Sequence, residues 1–410
     1  MAAIRQHFNS FIVLVGDALL TYLNGNEEEF QLPLVTVDQE TKAEKSSDAV
    51  CQKEADEDAS EKSVARKNCV LASAFSRSGK YFAVSDDYKQ LHVYQVTTTL
   101  DLLSSRFLAR RCTALTFPSS EDHVIVADRT GDVYRYSLVD PHALGELLLG
   151  HLSMVLDVCM TADDKFIVTC DRDEKIRISC YPNCYNIHAF CLHHTEYVSQ
   201  VIYLEDRNMI ASASGDDRIA FWDTEGNFLF DSMQSCMMDH KGDQEPLGIK
   251  QMIYDPALNT IAATRYRSNT IWIFTFVDEA LVFKEVYADH GLTGVASPEP
   301  WTVCFDDNHN LWILQACQER PVSVFKCLLT KESPDILIER GSNCSDIQDI
   351  VDRLNTKWDF FKGGLDCHTL TISLQKQRTP ENMQEYLKKK EERINAQKSR
   401  QPPEKRLKTS

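Results

Sequence analysis

An apolar residue that opens a short β-like run recurs through the middle of this 410-residue chain, at Leu91, Val133, Ile176, Ile219, Ile271 and Val322. The intervals are about 42, 43, 43, 52 and 51 residues, and each recurrence follows a turn in comparable surroundings: SDDYKQLHVY, ADRTGDVYRY, CDRDEKIRIS, SGDDRIAFWD, RYRSNTIWIF and CQERPVSVFK. A register kept over this distance excludes an unrepeated fold. Units that cannot bury an apolar face alone must stack on their neighbours, so a chain long enough for two or three ordinary domains reads as one body.

One unit shows what is being repeated. From His194 to Asp223 the chain alternates apolar and polar residues over Val198 to Tyr203 and Ile210 to Ser214, turns at Gly215-Asp216-Asp217, and runs again from Arg218 to Trp222. That pattern predicts antiparallel strands joined by tight connections. A histidine before the first strand, a serine in the second, an aspartate in the turn and a tryptophan in the third resemble the polar tetrad of a WD-repeat blade. Here they are His194, Ser212 or Ser214, Asp216 and Trp222. Such a set satisfies its own buried donors and acceptors and braces one four-stranded blade. The period matches the roughly 40 to 45 residues of a propeller blade, the two longer intervals leaving room for insertions. The predicted fold is therefore all-β, a seven-bladed WD-repeat β-propeller. Six blades are visible directly. The seventh is expected to be shared between the ends, with Phe11 to Val15 and Ala18 to Leu23 pairing with His368 to Leu374, because closure removes exposed sheet edges.

Composition narrows the class further. Fourteen cysteines are scattered through strand positions such as Cys112, Cys159, Cys304 and Cys317 without framework spacing, so they read as buried free thiols of a reducing compartment. The N-terminal apolar run breaks at Gly16-Asp17 and reads as a strand rather than a cleavable leader, and no apolar run has the length of a bilayer-spanning helix.

Residues 1–374 are assigned to the propeller, with 38–68 as a polar loop too poor in apolar residues to order itself; a regulated or partner-binding loop is the functional alternative. Residues Ser345 to Asp359 read as a helix with Ile347, Ile350, Val351 and Leu354 on one face, a packing element. Residues 375–410 form a basic C-terminal helix or tail starting at Thr379-Pro380. From Lys388 onward the charge is about +6, against −17 for the whole chain, which leaves the rest near −23. A solvated tail competes with one that touches nucleic acid through Lys388, Lys389, Lys390 and Arg393. Lys405-Arg406 and Lys408 add a weak nuclear-import pattern, so the expected location is the nucleus.

The chain carries little chemistry. No two glycines are spaced Gly-x-Gly and there is no P-loop, so no dinucleotide or S-adenosylmethionine loop is present. Cys180, Cys184, His188, Cys191, His193 and His194 include zinc-type ligands, but their spacing fits no closed site, and structural use of each is the preferred reading. Carboxylate pairs fall in turns, where they bond backbone amides. No catalytic residue, metal or cofactor is assigned. The charge cluster Arg172, Asp173, Glu174, Lys175 and Arg177 at one hairpin tip reads either as a solvated tip or as a set of complementary contacts for a partner.

Four strings, RRCTALTF (110–117), VADRTGDVY (126–134), GHLSMVLDV (150–158) and CDRDEKIRIS (170–179), with LKKKEER (387–393) in the tail, resemble the non-catalytic WD-repeat subunit of the eukaryotic tRNA (guanine-N7-)-methyltransferase. The resemblance covers most of the chain. It implies a heterodimer whose separate catalytic subunit binds S-adenosylmethionine and methylates a guanine in the tRNA variable loop, while this chain stabilises that subunit and helps seat the tRNA. It also implies docking through Arg129, Asp173, Glu174, Lys175 and Arg177, with Arg110, Arg111 and Arg172 nearby, and Glu174 and Arg177 foremost. The acidic body fits that division of labour, since it would repel phosphate. Most blades lack Trp-Asp; Ser179 and Phe274 stand where Trp222 would. The alternative is a general protein-recognition propeller, such as a ubiquitin-ligase substrate adaptor reading its ligand at the channel mouth. A propeller hydrolase is the third and poorest.

Overall fold

The computed structural model describes residues 2–7, 10–23, 25–33, 68–233, 246–277, 280–287, 299–329, 336–341, 345–364, 374 and 388. The chain divides into a unit Met1–Thr371 and a unit Ile372–Ser410, and of the second only Leu374 and Lys388 are described.

Seven four-stranded antiparallel sheets make up the first unit. Blade 1 holds β1 (Ala2–His7), β2 (Ser10–Val15), β3 (Ala18–Leu23) and β4 (Asn26–Gln31). Blade 2 holds β5 (Val70–Phe75), β6 (Tyr81–Asp86), β7 (Gln90–Val96) and β8 (Leu100–Phe107). Blade 3 holds β9 (Cys112–Thr116), β10 (His123–Asp128), β11 (Asp132–Ser137) and β12 (Glu146–Gly150). Blade 4 holds β13 (Val155–Met160), β14 (Phe166–Asp171), β15 (Ile176–Cys180) and β16 (Ile187–Cys191). Blade 5 holds β17 (Val198–Leu204), β18 (Met209–Ser214), β19 (Ile219–Trp222) and β20 (Phe228–Asp231). Blade 6 holds β21 (Ile249–Asp255), β22 (Thr260–Arg265), β23 (Thr270–Val277) and β24 (Ala280–Tyr287). Blade 7 holds β25 (Pro300–Phe305), β26 (Asn310–Gln315), β27 (Val322–Leu329) and β28 (Ile336–Arg340).

The second strand of each blade explains the sequence pattern. SFIVLV, YFAVSD, HVIVAD, FIVTCD and MIASAS bury every residue after the first, because both faces of a blade's middle are covered by the neighbouring blades. The six recurring residues sit at equivalent places: Leu91 pairs with Ser85, Val133 with Ala127, Ile176 with Cys170, Ile219 with Ala213, Ile271 with Thr264 and Val322 with Leu314. All six are fully buried.

The first strands line the centre, each packed on the next and β25 on β1, so the ring is closed. Polar side chains stitch it. The Asp157 carboxylate accepts from Val201 N at 3.0 Å, Gln200 Oε1 accepts from Met252 N at 2.6 Å, and Gln251 bonds both N and O of Val303 at 3.0 and 2.9 Å. Arg5 Nε donates to Ser73 O at 3.1 Å. Every acceptor or donor on the far blade is the fourth residue of its inner strand, so an equivalent bond recurs at four of the seven seams.

Closure differs from the sequence expectation. Blade 1 draws all four strands from residues 2–31, because β4 fills the outer place that a C-terminal strand was expected to take; His368 to Ser373 lie outside the described residues. The seam is closed by side chains. Phe11, Val13, Val15, Leu20 and Tyr22 pack on Trp301, Trp312, Leu314, Val322 and Val324, with the Phe11 and Trp312 rings 4.5 Å apart. Helix α1 (Ser345–Asn355) clasps both sides: Ile347, Val351 and Leu354 enter this cluster, and Asn355 Oδ1 accepts from Val322 N at 3.0 Å. Lys357 pairs with Glu27, and Phe361 of helix α2 (Trp358–Phe361) is fully buried below.

Candidate docking face

In an antiparallel blade the loop entering the first strand and the hairpin between the second and third share one face. In blade 4 these are residues 151–154 and 172–175. His151 ties them together: its Nδ1 lies 3.0 Å from Asp171 Oδ2 and its Nε2 2.8 Å from Thr169 Oγ1. Asp171 Oδ1 in turn accepts from the backbone N of Asp173 and Lys175, at 2.8 and 3.0 Å. Burial alone would raise the pKa of Asp171, but the bond from His151 and that from Lys175 N outweigh it and hold the carboxyl below its usual value. The tip is thus built on an ionised buried carboxylate, with Glu174 in the left-handed region at φ 71°. Asp173 and Glu174 are half-buried and Lys175 is exposed, its Nζ donating to Asp173 O at 3.1 Å. An open cleft of about 350 Å³ beside the tip is lined by Asp173, Glu174, Lys175, Leu192, His193 and His194.

Arg177 requires a correction. It is buried, 8% exposed, and its guanidinium is used internally: Nε donates to Ser179 Oγ at 2.8 Å, Nη1 to Gly150 O at 3.0 Å and Nη2 to Cys184 O at 3.2 Å. Burial pulls its pKa down, the nearby Cys184 opposing this. It braces the hairpin, and its guanidinium is turned into the blade rather than presented on the face.

The neighbouring blades extend the face. Arg111, in the loop between β8 and β9, pairs with Asp87 in the β6–β7 hairpin at 2.9 Å. Arg110 beside it is exposed, while Arg129 and Arg172, which occupy the equivalent hairpin position to Asp87 in blades 3 and 4, are half-buried. In blade 5, His194 Nε2 lies 2.8 Å from Ser212 Oγ, Trp222 Nε1 donates to the same oxygen at 2.9 Å, and His194 Nδ1 is 3.1 Å from Asp216. Ser212, not Ser214, is therefore the tetrad serine; Ser214 Oγ donates to Tyr197 O at 2.9 Å.

Residues considered for zinc are dispersed. His188 lies 3.0 Å from Glu225, His193 3.0 Å from Asp231, and Cys184 and Cys191 are buried, and among the described residues no three potential ligands converge. Among the described residues no helix is long and apolar enough to cross a membrane. Of the basic tail only Lys388 is described, exposed; Lys389, Lys390 and Arg393 lie outside the described residues, as do 38–67. On the opposite face, Arg77 of blade 2 reaches Glu205 of blade 5 in a two-pronged bond of 2.6 and 2.7 Å. Those blades lie nearly opposite each other, so this pair spans the channel mouth where an adaptor would read its ligand.

Sequence reading missed Asp171 as the carboxylate that orders the tip. Its signal was present: an aspartate opens the turn at the same place in DDYKQ, DRTGD and DRDEK, and Asp86 and Asp128 accept turn amides as Asp171 does.

A family model described as the tRNA methyltransferase TRM82 WD40 domain matches residues 25–146 and 140–278. The chain is 34% identical over 336 residues to a protein of Danio rerio named tRNA (guanine-N(7)-)-methyltransferase non-catalytic subunit wdr4, covering 79% of this chain and 77% of that one. It is 37% identical over 329 residues to the like-named protein of Mus musculus, with 78% and 76% covered. The like-named wuho of Drosophila melanogaster is 44% identical over 152 residues, 36% of each chain. Among solved structures, a chain of the Mitotic Checkpoint Complex crystal structure superposes with a TM-score of 0.55 at 14% identity, over 75% of this chain and 85% of that one, a likeness of fold alone.

Proposed function

This chain belongs to the family of non-catalytic WD-repeat subunits of tRNA (guanine-N(7)-)-methyltransferase, and from that premise we propose that it docks and stabilises the catalytic subunit through the blade 4 hairpin. The chain is a non-catalytic scaffold with a catalytic partner. The partner binds S-adenosylmethionine and carries out the transfer, and this chain helps position the tRNA, with the basic tail from Lys388 onward offering phosphate contacts. Its place of work is the nucleus.

The observation that carries the docking assignment is the tip itself. Opposite charges at Asp173, Glu174 and Lys175 stand within three positions on a turn fixed by Asp171, and mixed charges held rigidly set orientation and speed encounter with a complementary partner. Arg110, Arg111, Arg129 and Arg172 extend the same face. The test is a charge exchange, Glu174→Lys with Lys175→Glu, in the full chain co-expressed with the catalytic subunit. Loss of co-purification and of tRNA methylation, at unchanged melting temperature, is the expected result; unchanged recovery of both would overturn the assignment.

A further inference from the structure

Two leucines flank the charged tip, and both are held out into solvent by built loops. Leu152 is fully exposed, at 107% the most exposed large apolar side chain among the described residues, and Leu192 is 68% exposed. Single exposed leucines are ordinary. These differ in how they are presented.

The loop around Leu152 is fixed on every side. His151 N donates to Gly131 O at 2.8 Å, its ring is anchored on Asp171 and Thr169, and Arg172 N donates to Met154 O at 3.0 Å. Gly131, at φ +108°, lets the loop lie flat: a Cβ there would sit 2.6 Å from both His151 O and Ser153 O. Leu192 stands between buried Cys191 and His193, whose ring bonds Asp231 at 3.0 Å and stacks on Phe228 at 4.2 Å. Leu192 also lines the cleft shared with Asp173, Glu174 and Lys175. Both side chains therefore meet a partner on a backbone that is already ordered, which lowers the entropy cost of association.

We propose that Leu152 and Leu192 are the apolar anchors of the docking face and seat in recesses of the catalytic subunit, while the charged tip beside them fixes register. This rests on the docking reading above and supplies what that reading lacks, since charges favour the rim of an interface and its energy concentrates in desolvated apolar contacts. The occupant is protein. A leucine offers RNA neither a cation nor a stacking face, and the basic groups of this face stand among carboxylates, Arg111 on Asp87 and Arg172 and Lys175 beside Asp173 and Glu174, a mixed pattern that suits protein better than phosphate.

The test compares Leu152→Asp and Leu192→Asp with the Glu174→Lys, Lys175→Glu exchange, measuring affinity for the purified catalytic subunit at low and high salt, with Leu152→Met as the conservative control. Each aspartate variant is expected to weaken binding at least about tenfold at both low and high salt, through faster dissociation and with the melting temperature unchanged, while the effect of the charge exchange shrinks at high salt. Leu152→Met should bind nearly as wild type. If the aspartate variants bind normally while the charge exchange weakens binding, the anchors are refuted and the docking reading stands. If neither set weakens binding, both fail. Loss of tRNA binding with intact subunit binding, or loss only of self-association, would assign the leucines to another occupant and overturn the proposal.

Discussion

Blades 4 and 5 solve the same bonding problem with different residues. Aligned on Ile176 and Ile219, Ser179 takes the place of Trp222, Thr169 that of Ser212, Asp171 that of Ser214, and Asp173 and Glu174 those of Asp216 and Asp217. Blade 5 turns its hairpin acids inward: Asp216 holds His194, and Asp217 accepts from Leu247 N and Gly248 N at 3.0 and 2.8 Å. In blade 4 the strand-end Asp171 holds the histidine, and Arg177 with Ser179 occupies the ground of the missing indole. In one hairpin the histidine is held by an acid of the turn, in its neighbour by the acid that ends the strand before it.

The largest test of that contrast is truncation at the aligned third-strand position. Trp222→Ala should cost about 3–5 kcal/mol in denaturant unfolding, as a buried aromatic is lost and Ser212 loses a donor, whereas Ser179→Ala should cost about 1 kcal/mol. Equal losses would break the comparison. Next comes Arg177→Met, which strands the carbonyls of Gly150 and Cys184 and should cost about 2–3 kcal/mol; Arg177→Lys, keeping charge without the fork, should lose about 1–2 kcal/mol. Both variants, once folded, should weaken binding of the catalytic subunit less than the charge exchange at Glu174 and Lys175 does.

A subtler difference lies on the inner strands, where Asp157 of blade 4 and Gln200 of blade 5 make the same bond to the following blade. Burial pushes the Asp157 carboxyl up to about 7, its bonds from Val201 and Val158 N and the charge of Arg5 only partly offsetting this. Its folded value exceeds the unfolded one, so its stabilisation is complete below about pH 4 and is lost as pH rises through about 7. Thermal melts of Asp157→Asn should therefore lose less stability between pH 6 and 8 than wild type, and Gln200→Ala should leave that pH dependence intact. The smallest effect is at the tips. Glu174→Gly relieves a left-handed residue and should stabilise by about 0.5–1 kcal/mol, while Asp217→Gly, at φ 61°, also loses two amide bonds and should be net destabilising by about 1 kcal/mol.

The ring was legible because the residue near the start of each third strand, from Leu91 to Val322, is fully buried between sheets and must be apolar at that place in every unit. The outer strand of blade 1 was not. NEEEFQ carries no alternation, since an outermost strand exposes most of its residues, and only Phe30 turns toward Tyr94. The tip was found from its charge density, but charge alone could not separate Lys175, which is exposed, from Arg177 two residues on, which points into the blade. Residues two apart share a face of a strand, so alternation does not separate them either; Lys175 lies in the turn and Arg177 inside the strand that begins at Ile176. The inner-ring bonds were invisible for a different reason: an aspartate, Asp157, and two glutamines, Gln200 and Gln251, make equivalent bonds, and their equivalence appears only in register.

The clasped seam bears on how the molecule is made. Blade 1 leaves the ribosome first with Phe11, Val13, Val15, Leu20 and Tyr22 uncovered, and what covers them, Trp312, Val322 and helix α1, is synthesised some three hundred residues later. The earliest-born blade must therefore wait for the last, and any message cut short before Leu354 yields a chain whose beginning stays sticky, a marker by which quality control can tell an unfinished copy from a finished one.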